Sequence, residues 1–344
     1  MARGAKEDHQ LVPLERVVVE TPPHRPLLLG RDPLEEGESL KVLVTGSSGL
    51  LGSKLLPILS SRGWSVVAVY NRHEPPGLSG VKRVRLDITD TLRLEDLILK
   101  EEPDAIVHAA AYTDVDGCEV NRDYAWRVNV DATRSVMRAA RVVNAYLIYV
   151  STDYVFDGEK GLYKETDTPN PINYYGLTKL VGEEIVKSSD ILYAVVRTSA
   201  IYGVAGGGKR GFAVYALERL LEGREVYALV DQYVSPTYNG LLAEAIAEMI
   251  EARPMGVLHV AGPRMSRYEF AAALARAVGA PVELVKPARM SDMKWVARRP
   301  RDSSLDTTRA RRLLDTRFYS LDDSLRMFIE DFMKARGVGG AVQV

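Results

Sequence analysis

Among the 17 tyrosines of this chain, Tyr175 alone is followed by a lysine at the fourth position, in Tyr175-Gly176-Leu177-Thr178-Lys179. On a helix that spacing puts both side chains on one face. A phenol with an ordinary pKa of about 10 is a poor acid at neutral pH, and an ammonium one turn away is expected to lower it by stabilising the phenolate. Such a pair can protonate a carbonyl oxygen while hydride reaches the carbon. Thr152 stands in Ser151-Thr152-Asp153-Tyr154-Val155-Phe156-Asp157-Gly158, directly after an apolar strand. Ligands of open α/β sheets bind at the carboxyl ends of strands, so the Thr152 hydroxyl is expected to meet the substrate carbonyl and Asp153 the substrate beside it. The plainer readings are an exposed helix pair, a hydroxyl that caps a turn and a turn-forming carboxylate.

A second group of residues points to a phosphate-bearing cofactor. Thr45-Gly46-Ser47-Ser48-Gly49-Leu50-Leu51-Gly52 lies between a short apolar strand and a helical segment through Leu55, Leu56 and Ile58. In that setting Gly46 permits the tight turn, Gly49 lets backbone amides approach a pyrophosphate, and Gly52 allows close helix packing. Ser48, Leu50 and Leu51 complete the expected cradle. At the end of the second strand, Tyr70-Asn71-Arg72-His73 has Asn71 in place of the acid that would hold an adenosine ribose. Arg72 is placed to pair with a 2′-phosphate, which favours NADPH over NADH, with NADH as the second choice; Glu74 is the residue that argues the other way. Asp87 and Ile88, past the third strand, and Ala109, Ala110, Ala111 and Tyr112, past the fourth, join the cofactor candidates together with Tyr175 and Lys179. Small residues there let a cofactor approach the backbone, while His108 reads as a packed strand residue.

These residues require a scaffold of alternating strands and helices. Lys41 to Thr45, Ser65 to Tyr70, Arg83 to Leu86, Ala105 to His108, Tyr146 to Val150 and Tyr193 to Val196 read as buried parallel strands, because strands covered on both faces lose polar alternation. After about residue 200, helical patterns dominate at Phe212 to Glu222, Gly240 to Glu251, Tyr268 to Val278 and Leu321 to Ala335. The fold class is α/β: a Rossmann-like doubly wound parallel sheet with a smaller, mostly helical substrate-binding domain. Residues 1–39 form a proline-containing extension, 40–200 the NADP-binding domain with later segments returning to it, 201–335 mainly the substrate-binding domain, and 336–344 a tail.

Composition narrows the classes. The chain has 344 residues, 45 basic against 46 acidic, so no global field draws it to nucleic acid or to an anionic membrane. A single cysteine, Cys118, excludes an internal disulfide framework, reads as an unreactive thiol and fits a reducing cytoplasm. With no long apolar run and no leader-like N-terminus, the expected location is the cytoplasm. No carboxylate cluster is assigned to a metal.

With these motifs in place the chain resembles the dTDP-4-dehydrorhamnose reductase group of extended short-chain dehydrogenases, over about residues 40 to 335. The resemblance rests on Ala110-Ala111-Tyr112-Thr113-Asp114-Val115-Asp116, Val128-Asn129, Ser151 to Gly158, Tyr175 to Lys179, Asp231-Gln232 with Ser235-Pro236-Thr237, and Arg299-Pro300 followed by Ser303, Leu305 and Asp306. It implies Thr152, Tyr175 and Lys179 as the catalytic set, Asp153 as a sugar contact, and NADPH-dependent reduction of the C4 ketone of dTDP-4-dehydro-L-rhamnose to dTDP-L-rhamnose. Arg289 to Arg301 holds five basic residues and one acid, Asp292, which supports a diphosphate-bearing substrate with Arg299 as a binding residue. Two features depart from the group: the 39-residue extension, and Val234 where glycine is frequent.

Nucleotide-sugar substrate is thus the expected partner, and a homodimer is compatible with the pattern. The group also contains the non-catalytic beta subunit of methionine adenosyltransferase, so an NADP-binding regulatory role is the rival reading. A sugar-nucleotide epimerase is a second, opposed by Arg72. A scaffold without ligand is the bland alternative, and it predicts no thermal protection by NADPH.

Overall fold

The computed structural model describes residues 39–204 and 211–337. Almost the whole N-terminal extension and the last seven residues of the tail lie outside the described residues. Seven strands form one parallel sheet: β1 (Lys41–Thr45), β2 (Ser65–Tyr70), β3 (Val81–Arg85), β4 (Ala105–His108), β5 (Tyr146–Thr152), β6 (Tyr193–Thr198) and β7 (Gly256–His259), in the order β3-β2-β1-β4-β5-β6-β7. The order reverses between β1 and β4, and every pairing in the sheet is parallel. This is the doubly wound arrangement, whose ligand crevice opens at the carboxyl ends of the strands beside that reversal.

The alternation of β1 shows why both sheet faces are apolar. Val42 and Val44 enter one core with Leu55, Leu56 and Leu59 of α1 (Gly52–Ser61), whereas Leu43 enters the other with Leu94 and Ile98 of α2 (Thr91–Glu101) and Val136 of α3 (Ala132–Val143). Side chains two apart share a face, so a strand sandwiched between helices must be apolar throughout. The helices α4 (Tyr174–Lys187), α5 (Phe212–Leu221), α6 (Asn239–Ala252), α7 (Arg267–Ala277) and α8 (Leu321–Ala335) follow. The expected helix limits hold to within a residue; α7 is fixed by a capping box in which Ser266 and Glu269 satisfy each other's backbone amides.

β5 and β6 each run two residues past their expected ends, to Thr152 and Thr198, and two further strands differ from expectation. The third begins at Val81 rather than Arg83, because it is an edge strand whose Lys82, Arg83 and Arg85 face solvent and break the apolar run. The seventh, Gly256–His259, is four residues long and lies between the helices expected at Gly240 to Glu251 and Tyr268 to Val278, where no strand was expected. It pairs with β6, so residues beyond 201 return to the sheet. Among the described residues, no helix is long and apolar enough to cross a membrane.

Candidate functional site

A cleft of about 680 Å³ runs along the carboxyl edge of the sheet. At its centre is the turn between β1 and α1. Gly46 has φ +70°, and a Cβ there would lie 2.8 Å from the Ala110 nitrogen, so the turn is pressed against the chain leaving β4. A Cβ on Gly52 would lie 2.5 Å from the Gly46 oxygen. Only glycine allows this left-handed turn and this helix approach together. The N-terminus of α1 carries no side-chain cap, and Ser48, Gly49, Leu50 and Leu51 line the cleft beside it. An uncapped helix N-terminus behind a glycine turn suits a pyrophosphate.

The floor is held by a buried polar chain. The Thr45 hydroxyl accepts from the Ala110 amide at 3.2 Å and meets His108 Nδ1 at 2.7 Å. On the other side of the ring, His108 Nε2 meets Thr133 Oγ1 at 3.1 Å, while that hydroxyl donates to the Asn129 carbonyl at 2.7 Å. A hydroxyl that has already given its proton must accept, so the network assigns the His108 proton to Nε2. Burial, reinforced by Lys179, pushes the imidazole down to about 3. His108 is therefore a neutral strut. Asn129, on a π-helical turn before α3, accepts from the Tyr112 amide at 2.8 Å and donates to the Tyr112 carbonyl and to Thr178, which fixes the third wall of the cleft.

At one end Asn71, Arg72, Asp87 and Ile88 line the cleft. Asn71 donates to Asp87, whose carboxyl lies below the usual range chiefly because it accepts from the Thr89 amide. Glu74 does not line the cleft; its carboxylate pairs with Arg83 at 3.0 Å. Arg72 is exposed; its charge adds to the lowering of Asp87, but no carboxylate among the described residues lies within ion-pair distance of it.

At the other end the first turn of α4 presents Tyr175, with Asn173 capping the helix by accepting from the Gly176 amide at 2.8 Å. Lys179 is buried, its ammonium 4.1 Å from the centroid of the Tyr149 ring. The expected depression of the Tyr175 pKa is not what the site produces. Burial pushes the phenol above its ordinary value, opposed by a hydrogen bond with Thr152, and burial also pulls Lys179 down to about 7 against the attraction of Glu183. A neutral phenol is the form that can donate a proton.

Thr152, the last residue of β5, donates to Asp153 at 3.0 Å and accepts from the Tyr154 amide at 3.2 Å. Asp153 is buried and accepts from Ser199 at 2.7 Å and from Ser303. Its carboxyl is raised, first by burial. Asp153 lines the cleft yet joins three chain segments, so its oxygens are largely taken by the protein itself. Cys118 is buried, and burial pushes its thiol up to about 12, with Asp114 and Glu119 adding to the rise.

The structure thus brings every expected cofactor residue, with Thr152, Asp153, Tyr175 and Lys179, to one cleft. Arg299 is the one expected site residue that does not line the cleft. It is committed to Asp116, 3.0 Å away, whose same oxygen also accepts from the Val296 and Ala297 amides. The segment expected to bind substrate with this arginine uses it to brace itself against the chain after β4. Residues that the sequence reading passed over are Thr198 and Arg267. Thr198 Oγ1, at the end of β6, is buried, lines the cleft and has no protein hydrogen-bond partner, which is a place for a cofactor amide. Val234 also lines the cleft and pairs with Met265. Among the described residues no group of three or more His, Cys, Asp or Glu is placed to hold a metal ion.

The sheet order, the glycine turn at the reversal and the cleft above it define a Rossmann-type α/β protein. The chain belongs to the RmlD substrate binding domain family, whose model matches residues 40–334. It is 35% identical over 286 residues to the probable low-salt glycan biosynthesis reductase Agl14 of Haloferax volcanii, covering 82% of this chain and 95% of that protein. It is 32% identical over 277 residues to methionine adenosyltransferase 2 subunit beta of Bos taurus, covering 78% and 81%. The crystal structure of dTDP-4-dehydrorhamnose reductase from Bacillus anthracis in complex with NADP superposes with a TM-score of 0.75 at 30% identity, over 85% of this chain and 99% of that one.

Proposed function

We propose that this protein is an NADPH-dependent reductase of the C4 keto group of a dTDP-deoxysugar, converting dTDP-4-dehydro-L-rhamnose to dTDP-L-rhamnose. The observation that carries the reading is the placement of Tyr175, Lys179 and Thr152 at one end of the cleft whose other parts are the Gly46–Gly52 turn and Arg72. The glycine turn and the unpartnered Thr198 hydroxyl fit a dinucleotide, and the NADP-bound relative supports the same choice. NADPH, when bound, supplies the hydride. Tyr175 supplies the proton to the developing alkoxide, because burial holds it neutral. Thr152 orients the Tyr175 hydroxyl, and Lys179 restores charge balance beneath it. Asp153 holds β5, Ser199 and Ser303 in register so that this end of the cleft keeps its shape.

In the same proposal, residues 40–200 with the returning strand Gly256–His259 bind the cofactor, and residues 201–335 mainly bind the sugar nucleotide. A cytoplasmic setting belongs with it, since both substrates are phosphorylated metabolites that do not cross membranes unaided. The similarity to methionine adenosyltransferase 2 subunit beta supports a second reading, an NADP-binding regulatory subunit.

The test is to mix the full chain with NADPH and dTDP-4-dehydro-L-rhamnose and to follow nicotinamide absorbance. Oxidation is expected. Saturable NADPH binding with no oxidation of this substrate overturns the reductase reading and favours the regulatory one.

A further inference from the structure

A sugar nucleotide brings a diphosphate of its own, separate from that of the cofactor, and a diphosphate in a half-enclosed cleft needs a cation that no carboxylate has already neutralised. Arg299 fails that requirement because Asp116 holds it. The cleft lining contains two arginines and a lysine: Arg72 at the Asn71–Asp87 end, Lys179 one turn of α4 beyond Tyr175, and Arg267.

Arg267 differs from the other two in how it is held. Its Nε donates to Gln232 Oε1 at 2.8 Å, and Gln232 is itself buried. The guanidinium carbon lies 5.5 Å from the centroid of the Phe212 ring. A neutral amide and an aromatic face therefore fix the guanidinium, and neither leaves it neutralised. Among the described residues no carboxylate pairs with Arg267, and neither Nη atom has a hydrogen-bond partner. The orientation is set while the fork of donors stays available, which is the arrangement that captures phosphate oxygens in pairs. Arg267 and Arg299 both lie near enough to Tyr154 for their charges to act on that phenol, but of the two only Arg267 lines the cleft and is without a carboxylate partner among the described residues; the Tyr154 ring meets the Tyr175 ring edge-on at 6.0 Å. This cation therefore belongs to the Tyr175 side of the cleft and not to the Arg72 end.

We infer that Arg267, oriented by Gln232, binds the diphosphate of the sugar-nucleotide substrate and sets the preference of this cleft for nucleoside diphosphates. The inference rests on the sugar-nucleotide reading above and adds the residue that recognises the phosphates.

Calorimetric titration of the full chain, saturated with NADPH, with dTDP and separately with thymidine tests it. The wild type is expected to prefer dTDP. Arg267→Gln should lose about tenfold to hundredfold of dTDP affinity, the loss of one or two charge-assisted hydrogen bonds, with thymidine affinity unchanged. Arg267→Lys should recover part of the loss, and an unchanged NADPH Kd shows that the variants are folded. Full dTDP affinity in Arg267→Gln, or a wild type that binds thymidine as well as dTDP, overturns the inference while leaving the reductase reading intact. A wild type that binds NADPH but neither dTDP nor thymidine removes the sugar-nucleotide reading itself, and the inference falls with it.

Discussion

Glu183 and Arg197 form an ion pair sealed beneath the cleft, with 2.6 Å between Glu183 Oε2 and an Arg197 Nη and side-chain exposures of 0% and 1%. The pair joins α4, which carries Tyr175 and Lys179, to β6. Glu183 also accepts from Ser151, next to Thr152, and Arg197 reaches His259 on β7. Burial and Arg197 keep that imidazole neutral, at about 3. Arg197→Met should therefore strand an ionised carboxylate and cost about 3–5 kcal/mol, whereas the double replacement Arg197→Met with Glu183→Leu should restore most of the loss. Urea unfolding of the three proteins decides it; equal stability of the single and double variants would show that the pair is not buried as described.

Tyr175→Phe removes the proposed proton donor and leaves the aromatic contact with Tyr154. The turnover number for NADPH oxidation should fall by about 10²–10⁴-fold, while the NADPH Kd moves little. Comparable losses in Kd and turnover would place Tyr175 in cofactor binding instead.

Gly46→Ala puts a Cβ 2.8 Å from the Ala110 nitrogen at a φ of +70°. Strain of about 1–3 kcal/mol is expected, seen as a lower Tm and a weaker thermal response to NADPH. Gly63→Ala is the control: its φ is similar, +74°, and nothing lies within 4 Å of its Cβ. It should lower Tm without touching the NADPH response.

Arg72→Ala tests cofactor choice. Since Glu74 is occupied by Arg83, losing Arg72 should weaken NADPH by about tenfold or more while leaving NADH unchanged. Equal losses for the two cofactors would assign Arg72 to the shared part of the dinucleotide.

Lys179→Met concerns stability and pH. The folded chain holds Lys179 at about 7 against 10.5 for the free side chain. Between those values the unfolded chain binds the additional proton, so wild-type stability from this group rises with pH, and the full penalty applies at pH 7 and below. Without cofactor, Lys179→Met should be inactive yet more stable than wild type at pH 7 by up to a few kcal/mol, with the gain shrinking toward pH 10. Unfolding curves at pH 7 and pH 9.5 measure the difference. A constant gain would mean that Lys179 is not depressed by burial.

How far the sequence reached can be read from particular residues. Local rules were sufficient for the glycine turn, because a strand, a turn and a helix start are contiguous and the need for glycine is a property of one backbone stretch. They were sufficient also for the pairing of Tyr175 with Lys179 on one helix face and for the central strands, whose apolar runs follow from coverage on both faces. The edge strands β3 and β7 were less legible. An edge has one partner and solvent on its other side, so its composition carries little of the signal.

The roles of the charged side chains were decided in three dimensions. Charge counts in Arg289 to Arg301 pointed to Arg299, yet whether an arginine is free depends on what lies opposite, and Asp116 lies opposite from 183 positions away in the chain. Arg267 gave no such local signal, because its meaning comes from Gln232 and Phe212 brought beside it by the fold. The pKa values of Tyr175 and Lys179 likewise follow from burial, which sequence spacing does not encode. The sequence by itself determined the scaffold, the glycine turn and the placing of Tyr175 and Lys179 on one helix face, since those depend on near neighbours. The tertiary structure alone decided which charges are spent on the protein and which remain for a ligand, because electrostatic partnership is set by distance in space.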